Sequence, residues 1–332
     1  MFMRNLIAGL KSQVENGVVN IAGVGAPVSG IGVYSASGHG GTIQTPATGI
    51  GVCGTGSQYI NVSNGVVYFN EGIAEAPYWS PINLLQKGLL SWFSDFRDGV
   101  GKALADTAAL ATLVGSGLKI FGQGIAEIDS GFVVTIAEDG AIGTLTTTDE
   151  AAHLAAIGVG LTTSVPFQPD SHGPLIIDCK IAMSSAITLR SLFMGFLGTA
   201  ADALDPPVTG STVTATLVQD DLAGVIFDVG LTDVDRLYAV HNKSDEAASQ
   251  NVTTSGRDTG VDFPAAGTYT RLRVEISAGG VMTIFKDKVQ VTQIIAALDV
   301  NEEVAPILLV RSTSTAVKSM SLKQFDAWGN RN

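Results

Sequence analysis

Positive charge is scarce in this chain of 332 residues, which has 19 lysines and arginines against 31 aspartates and glutamates. The net charge is −12, and no stretch of the sequence gathers its basic residues into a stripe. Affinity for nucleic acid comes largely from clustered lysine and arginine side chains. We therefore expect no direct nucleic-acid partner.

Cysteine and long apolar runs are equally scarce. Cys53 and Cys179 lie far apart, and neither belongs to a CxxC pair or a Cys/His cluster of the kind that binds zinc. No apolar run reaches the roughly 18 residues that a membrane span needs. The apolar run at the N-terminus is broken by Lys11 and precedes no small-residue cleavage site, so we expect neither a signal peptide nor a membrane partner.

Signatures of catalysis are missing too. The chain has no Gly-x-Ser-x-Gly elbow, and no histidine pair at metal-binding spacing. The acidic stretch "DVGLTDVDR" brings together Asp228, Asp233 and Asp235, which could hold Ca²⁺, but the spacing of a calcium-binding loop is absent and solvated loop acids are favoured. The sequence predicts a protein that is not an enzyme and has no cofactor or metal.

Glycine and small β-prone residues are what the chain has in abundance, with 39 glycines and 45% hydrophobic residues. From residue 117 onward, short apolar strands alternate with turn residues. In one of them Ile177, Cys179, Ile181 and Met183 occupy every second position, which is typical of a strand with one buried face. The fold class is predicted to be mainly β, with a C-terminal jelly-roll β-sandwich.

The N-terminal part predicts a smaller β module that begins with a glycine-rich leader. Within "QYINVSNGVVYFN", the pair Asn64-Gly65 separates two apolar runs and indicates a hairpin, because both residues tolerate positive φ. The leader, residues 17–56, cannot bury much surface by itself and needs a neighbouring chain or surface to lie against.

Residues 82–116 are predicted to form short helical pieces that link the two parts. Leu89, Trp92, Phe93 and Phe96 recur at helical spacing, and the alanine-rich end of the segment is a good helix former. The predicted domains are an attachment module at 1–81, a helical linker at 82–116 and the jelly roll at 117–332.

A short amphipathic helix is predicted at residues 5–14, with Leu6, Ile7 and Leu10 on one face. Two interpretations stay open for it. The helix packs on its own domain, or it is an arm that docks on a partner.

Two stretches carry a family resemblance. "TYTRLRVEISAGGVMTIFKDKVQV" and the following "VAPILLVRSTSTAVKSMSLKQFDAW" resemble the last strands of a concanavalin-like, laminin-G-type jelly roll. These two sequences, and the stretch "GSQYINVSNGVVYFNEGIAEAPYWSP", are similar to sequences found in virion proteins of tailed bacteriophages. This resemblance implies a capsid decoration (cement) protein on the outer capsid surface, present in the host cytoplasm during assembly.

The resemblance also implies partners. The major capsid protein would be the main one, and the chain would bind itself as a homotrimer at threefold lattice positions. The alternative is a head- or tail-fibre protein that binds host glycans, and a bacterial surface lectin is a third possibility. Candidate glycan-binding residues are Tyr238, Asn242, Asp245 and Tyr269.

The acidic motif of concanavalin-like hydrolases, Glu-x-Asp-x-x-Glu, is absent from the sequence. Only Glu275 lies on the corresponding strand, and it is expected to point outward between Arg273 and solvent. The candidate partner-binding residues are the apolar and aromatic side chains of the N-terminal half: Leu6, Ile7, Leu10, Tyr59, Tyr68, Trp79, Trp92, Phe93 and Phe96.

Overall fold

The structure is a computed structural model, and it describes about two thirds of the chain. The described residues are 55–61, 66–73, 75–82, 89–94, 118–122, 131–137, 140–147, 154–159, 166–184, 190–198, 206–243, 249–313 and 318–331. The structure also describes the short strands at 14–15, 18–20, 32–36, 102–103 and 111–112.

The regular elements among these residues are strands, apart from one short helix, α1 (Pro169–His172). In chain order the strands are β1 (Val14–Glu15), β2 (Val18–Asn20), β3 (Gly32–Ala36), β4 (Gln58–Asn61), β5 (Val66–Asn70), β6 (Trp79–Pro81), β7 (Leu89–Ser94), β8 (Lys102–Ala103), β9 (Ala111–Thr112), β10 (Lys119–Gly122), β11 (Gly131–Ala137), β12 (Gly140–Thr146), β13 (Leu154–Gly158), β14 (Leu175–Met183), β15 (Arg190–Leu197), β16 (Val208–Ser211), β17 (Thr214–Leu217), β18 (Leu222–Asp228), β19 (Arg236–Asn242), β20 (Ser249–Asn251), β21 (Asp258–Asp262), β22 (Thr270–Ile276), β23 (Met282–Lys286), β24 (Val289–Ile294), β25 (Ala305–Ser312) and β26 (Ser319–Asn330).

The first six strands make one sheet in the order β1-β2-β3-β4-β5-β6. Strands β4 and β5 pair antiparallel from Gln58 opposite Phe69 to Asn61 opposite Val66, so the hairpin predicted around Asn64-Gly65 is confirmed. Strand β3 of the leader joins this hairpin in parallel. The glycine-rich leader is therefore hydrogen-bonded to the hairpin through the sheet.

Two larger antiparallel sheets form the sandwich. One follows the order β21-β19-β18-β15-β25-β13-β10-β9, and the other follows β24-β23-β22-β14-β26-β12-β11-β8. The long strand β26 pairs on one side with β14, while β12 and β7 share its other side. The predicted fold class, mainly β with a sandwich of jelly-roll type, is confirmed.

The main core lies between these two sheets and is built by strict alternation. Ile177 and Cys179 of β14 and Val274 of β22 are fully buried in it, together with residues from the facing sheet such as Leu308 and Phe196. Successive side chains of a strand point to opposite faces. The intervening residues of β14 and β22 therefore lie on the outer face of the nine-stranded sheet.

A third layer covers the outer face of the eight-stranded sheet. Strands β16, β17 and β20 form a small antiparallel sheet, and Leu217 of β17 packs with Phe193, Ile226 and Leu309 in a second core. Every residue of β15 and β18 is buried, because both faces of these strands are covered. This explains why "LAGVIFD" is continuously apolar rather than alternating.

The helical interpretation of residues 82–116 was wrong wherever the structure describes this segment. Residues 89–94 form β7, which pairs with β26 from Leu89 opposite Asn330 to Ser94 opposite Phe325. Strands β8 and β9 extend the edges of the two sandwich sheets. A short, mostly apolar segment fits a strand as well as a helix, and here pairing with β26 decides the outcome.

The domain boundaries at 81 and 116 stay predictions. No helix in the described part of the chain has the length and apolar character required to span a membrane.

Candidate functional site

Residues 55–82, called here the hairpin module, pack on the outer face of the nine-stranded sheet. The module is shaped by Asn70, a fully buried residue whose Oδ1 accepts hydrogen bonds from the backbone N–H groups of Gly72 (2.9 Å) and Tyr78 (2.7 Å). This side chain holds the turn after β5 so that Tyr78, Trp79 and Ser80 face the sandwich. Asparagine suits the position because its short amide bonds readily to nearby backbone.

Arg273 of β22 is the main link between module and sandwich, and its side chain is fully buried. Its Nη1 donates to the carbonyl oxygen of Trp79 at 2.7 Å, and its Nη2 donates to Ser80 Oγ at 2.9 Å. The guanidinium carbon lies 3.6 Å from the centroid of the Tyr78 ring, a cation–π contact. One sandwich side chain thus bonds three consecutive residues of the module.

Asp178 of β14 balances the charge of this arginine. Its Oδ2 accepts from Arg273 Nε at 2.8 Å and from the Tyr78 hydroxyl at 2.8 Å. Arg271 binds the same carboxylate in a bidentate manner: its Nε donates to Oδ1 at 2.8 Å and its Nη2 donates to Oδ2 at 2.9 Å. Bidentate pairs of this kind are among the stronger charged hydrogen bonds. We call Asp178, Arg271 and Arg273 with Tyr78 the buried ion cluster.

Glu71 of the module extends the buried ion cluster toward solvent. Its Oε2 accepts from Arg271 Nη1 at 2.9 Å and lies 3.1 Å from Lys288 Nζ. A further contact joins the module to β26, where the buried Tyr68 hydroxyl bonds Asn330 Oδ1 at 3.4 Å. The hairpin module is therefore bonded to three strands of the sandwich sheet, β14, β22 and β26, and to the turn between β23 and β24.

The protonation of the cluster follows from these contacts. Burial raises the pKa of Asp178, but the guanidinium groups of Arg273 and Arg271 outweigh this effect, so its pKa lies below the usual value. Burial raises the pKa of Glu275 to about 7, although Arg273 donates to it at 3.2 Å and acts in the opposite direction. Burial, with the charge of Asp178, raises the pKa of Asp326 to about 7 as well.

Glu275 therefore differs from the expectation in one respect. It points to the outer face, as predicted, but it is 8% exposed and does not reach solvent between its neighbours. Arg273 links it to the module, since this side chain binds both Glu275 and the carbonyl oxygen of Trp79. Sequence alternation predicts the face of a strand residue, and it does not show what covers that face.

An open cleft of about 420 Å³ lies beside the ion cluster on the same face, and we call it the Tyr269 cleft. Its lining is polar apart from the tyrosine ring, and Lys323 Nζ lies 4.6 Å from the centroid of that ring. The residues that line the cleft are Lys180, Tyr269, Arg271, Asp287, Lys288 and Gln324.

The predicted acidic cluster is only partly as expected. Asp228 is buried and caps a turn by accepting from the Gly230 N–H at 2.7 Å. Carboxylate oxygens of Asp233 and Asp235 lie within 4.8 Å of one another and of Asp262, which the sequence did not single out. Arg236 donates to Asp262 at 2.6 Å and lies 3.3 Å from Asp233, so a guanidinium already neutralises this group.

The candidate partner-binding residues fall into two sets. Tyr68 and Trp79 are buried within the module, and Trp92 is half-buried with its ring 5.5 Å from that of Phe167 at the margin of the main core. Their role in partner binding stays a prediction. The other candidates lie outside the described residues or outside the described side chains: Leu6, Ile7, Leu10, Tyr59, Phe93 and Phe96.

The glycan-binding candidates are not brought together. Tyr238 is buried in the second core, and Asn242 is buried and donates to the Gln219 carbonyl oxygen at 2.9 Å. Asp245 lies outside the described residues. Of the three candidates that the structure describes, Tyr269 lines an open cleft.

The ion cluster was missed by the sequence reasoning, although a signal was present. Asp178 is a buried carboxylate in a mostly apolar strand, and Arg271 and Arg273 alternate with Leu272 and Val274. Charged residues on the face of a central strand that points away from the core must either reach solvent or be paired with a group of opposite charge. The partners, at Glu71 and Tyr78, lie about 200 and 100 residues away in the sequence, beyond any local pattern.

Comparison with known proteins gives remote structural matches. No protein-family model and no curated protein matches the sequence. The alignment with the carbohydrate recognition domain of Emp47p covers 73% of this chain and 98% of the Emp47p chain, with 10% identity and a TM-score of 0.43. The alignment with peanut lectin covers 73% of this chain and 97% of the lectin chain, with 10% identity and a TM-score of 0.40. The alignment with a Bacillus licheniformis β-glucanase covers 71% of this chain and 97% of the glucanase chain, with 10% identity and a TM-score of 0.39.

The names of the three matched proteins describe two carbohydrate-binding proteins and one glucanase. Matches at this level of similarity carry no argument about function. The function of this chain has to be argued from its own residues.

Proposed function

We propose that this chain is a non-enzymatic structural protein of a tailed-phage virion, a decoration protein that binds the major capsid protein on the outer capsid surface. The observation that supports this role is the attachment of the hairpin module to the sandwich by Arg273 and Asp178. The leader strands join the same sheet as the module. A surface made by the leader would therefore be mechanically coupled to the body of the protein.

The chemistry of the joint fits a structural role. Arg273 has hydrogen-bond partners in Asp178, Trp79, Ser80 and Glu275, so its donors are used within the chain. Such a saturated buried network rigidifies a fold and offers no free group to a substrate. A decoration protein that resists outward pressure on a shell needs this kind of rigid connection.

The energy of lattice binding would come from apolar burial and backbone pairing rather than from charge. The leader between residues 17 and 56 is rich in glycine and other small residues, and the chain as a whole carries −12. A ligand that binds only the assembled shell stabilises it by mass action. A homotrimer at the threefold positions of the lattice remains part of this proposal.

The test uses capsids depleted of this protein, the full chain and a variant that lacks residues 1–54. This deletion leaves residues 55–82 in place, so the contacts of Arg273 and Asp178 with the module are kept. We expect the full chain to co-sediment with capsids and the shortened chain to lose most of this binding while its unfolding midpoint changes little. Equal binding of both chains would contradict the role of the leader.

A second candidate, a fibre protein that binds host glycans, is favoured by one observation. The Tyr269 cleft is open and combines an aromatic ring with charged and amide groups. Saccharide sites commonly need both kinds of surface, with a few polar groups that fix orientation. Copy number separates the two candidates, since decoration proteins are abundant on a particle and fibre proteins are few.

A further inference from the structure

From the arrangement of side chains in the Tyr269 cleft, we propose that it is a binding site for an acidic saccharide, a sugar that carries a carboxylate. This inference does not depend on the decoration role. The volume of the cleft, about 420 Å³, is within the range of about 300–1,000 Å³ that is usual for small-ligand sites.

The first argument is a row of polar side chains across four adjacent positions of the sheet. Lys180 of β14 lies directly opposite Arg271 of β22 and, on its other side, directly opposite Gln324 of β26. Asp287, in the turn after β23, accepts from the Arg271 backbone N–H at 2.9 Å and ends the row. Two cations directly opposite each other on one face of a sheet are unfavourable, and Asp178 neutralises Arg271 of this pair rather than Lys180.

The second argument is the surplus of positive charge. Three of the six lining residues are basic and one is acidic, in a chain whose acidic residues outnumber its basic ones. Arg271 is already neutralised by Asp178 and Glu71, and Lys288 shares Glu71 with it. The side chain of Lys180 is exposed, and it makes no ion pair or hydrogen bond with any residue that the structure describes. Of the three basic residues that line the cleft, Lys180 is therefore the one whose charge is left for an anionic group of a ligand.

The remaining groups select a saccharide rather than a simple anion. Asp287 is an acceptor and is half exposed, so it favours a ligand with hydroxyl donors and opposes a phosphate chain. Gln324 adds an amide, and the half-buried ring of Tyr269 adds apolar surface. A sugar acid has all three complementary features: a carboxylate, hydroxyl groups and an apolar ring face.

The backbone holds this arrangement in place. Asp287 and Lys288 form a two-residue turn between β23 and β24 with φ values of 49° and 70°, in the left-handed region that glycine and asparagine usually occupy. Thr270 Oγ1 donates to the Asp287 carboxylate at 3.1 Å and fastens the turn to β22. Lys288 is thereby directed to the rim of the cleft, next to Glu71.

The experiment titrates tetragalacturonate into the full chain by calorimetry, with fully methyl-esterified tetragalacturonate and inorganic sulfate as comparison probes. The variants are Lys180→Gln and, as a charge-matched control, Arg331→Gln. Arg331 is exposed and follows β26 seven residues after Gln324, about 20 Å away along the strand. Because Lys180 faces Arg271, Lys180→Gln should keep or slightly raise the unfolding midpoint, so a loss of binding is not a loss of fold.

We expect tetragalacturonate to bind, the ester and sulfate to bind at least about tenfold more weakly, and Lys180→Gln to weaken binding of the acid about tenfold, since one charged contact is lost. Arg331→Gln should bind like the unchanged protein. The proposal is overturned if no binding is detected, if sulfate binds as well as the saccharide, or if both variants bind equally.

Discussion

Replacement of Arg273 by alanine is the perturbation that tests the module–sandwich joint most severely. The change leaves Asp178 with Arg271 and Tyr78 as partners, but it leaves the Trp79 carbonyl oxygen and Ser80 Oγ without the donors they now have. Breaking a buried ion pair by removing one partner costs about 3–5 kcal/mol. We expect a loss of about 4 kcal/mol, a large part of the 5–15 kcal/mol typical of a folded domain.

The assay is equilibrium unfolding in urea followed by tryptophan fluorescence. Two of the three tryptophans report directly on the joint, since Trp79 belongs to the module and the Trp328 ring lies 5.1 Å from the Arg273 guanidinium carbon. Hydrogen exchange adds a local reading at the Glu71 N–H, which donates to the Tyr78 carbonyl oxygen at 2.8 Å. We expect the protection of this N–H to fall together with the stability.

Two further variants make the result interpretable. Arg273→Lys keeps the charge but has three donors in place of five and no fixed fork, so we expect an intermediate loss of about 2 kcal/mol. Lys243→Ala removes a partly exposed pair with Asp299 at 3.8 Å and should cost less than about 1 kcal/mol. If Arg273→Ala costs no more than Lys243→Ala, the ion cluster does not hold the module and the reasoning is refuted.

Three more predictions follow from the same contacts. Tyr78→Phe removes the hydroxyl that donates to Asp178 and should cost about 1–3 kcal/mol in urea unfolding; an unchanged midpoint would show that this bond is not needed. Because burial raises the pKa of Glu275 from 4.5 to about 7, its contribution is present below pH 4.5 and is lost as the pH rises to 7, by up to about 3 kcal/mol. Glu275→Gln should flatten this part of the stability–pH curve, and a curve as steep as that of the unchanged protein would contradict the assignment. Phe227→Ala, in the fully buried main core, should cost about 3–5 kcal/mol, whereas Val289→Ala at a 60% exposed position should stay within about 0.5 kcal/mol; equal midpoints of the two variants would contradict the core assignment.

The sandwich was predictable because its signal is local. Alternation placed Ile177, Cys179 and Ile181 on one face of a strand, and all three are in the main core. The Asn64-Gly65 turn likewise predicted the pairing of β4 with β5. Two-residue periodicity and turn chemistry are properties of a few adjacent residues, so they can be read without knowing the tertiary structure.

Residues 89–94 show where local signals fail. Leu89, Trp92 and Phe93 are spaced as on a helix, yet the segment is an edge partner of the C-terminal half of β26, more than 230 residues later in the chain. A short apolar run takes the conformation that its tertiary neighbours offer. Pairing across such a distance is not encoded in the segment itself.

The ion cluster was hidden for the same reason. Asp178 and Arg273 are 95 residues apart, and Arg273 reaches Trp79 across 194 residues. Sequence alternation could assign these charges to an outer face, but only the docked module shows that they are buried. Candidate sites that depend on contacts between distant segments therefore have to be found in the structure.

The most direct test of the central claim is the copy number of this chain in purified phage particles, measured by quantitative mass spectrometry against the major capsid protein. A decoration protein should be present in numbers comparable with the major capsid protein, or as one trimer for every few capsid subunits. A few copies for each particle would contradict decoration and favour a fibre, and absence from the particles would contradict a virion role altogether.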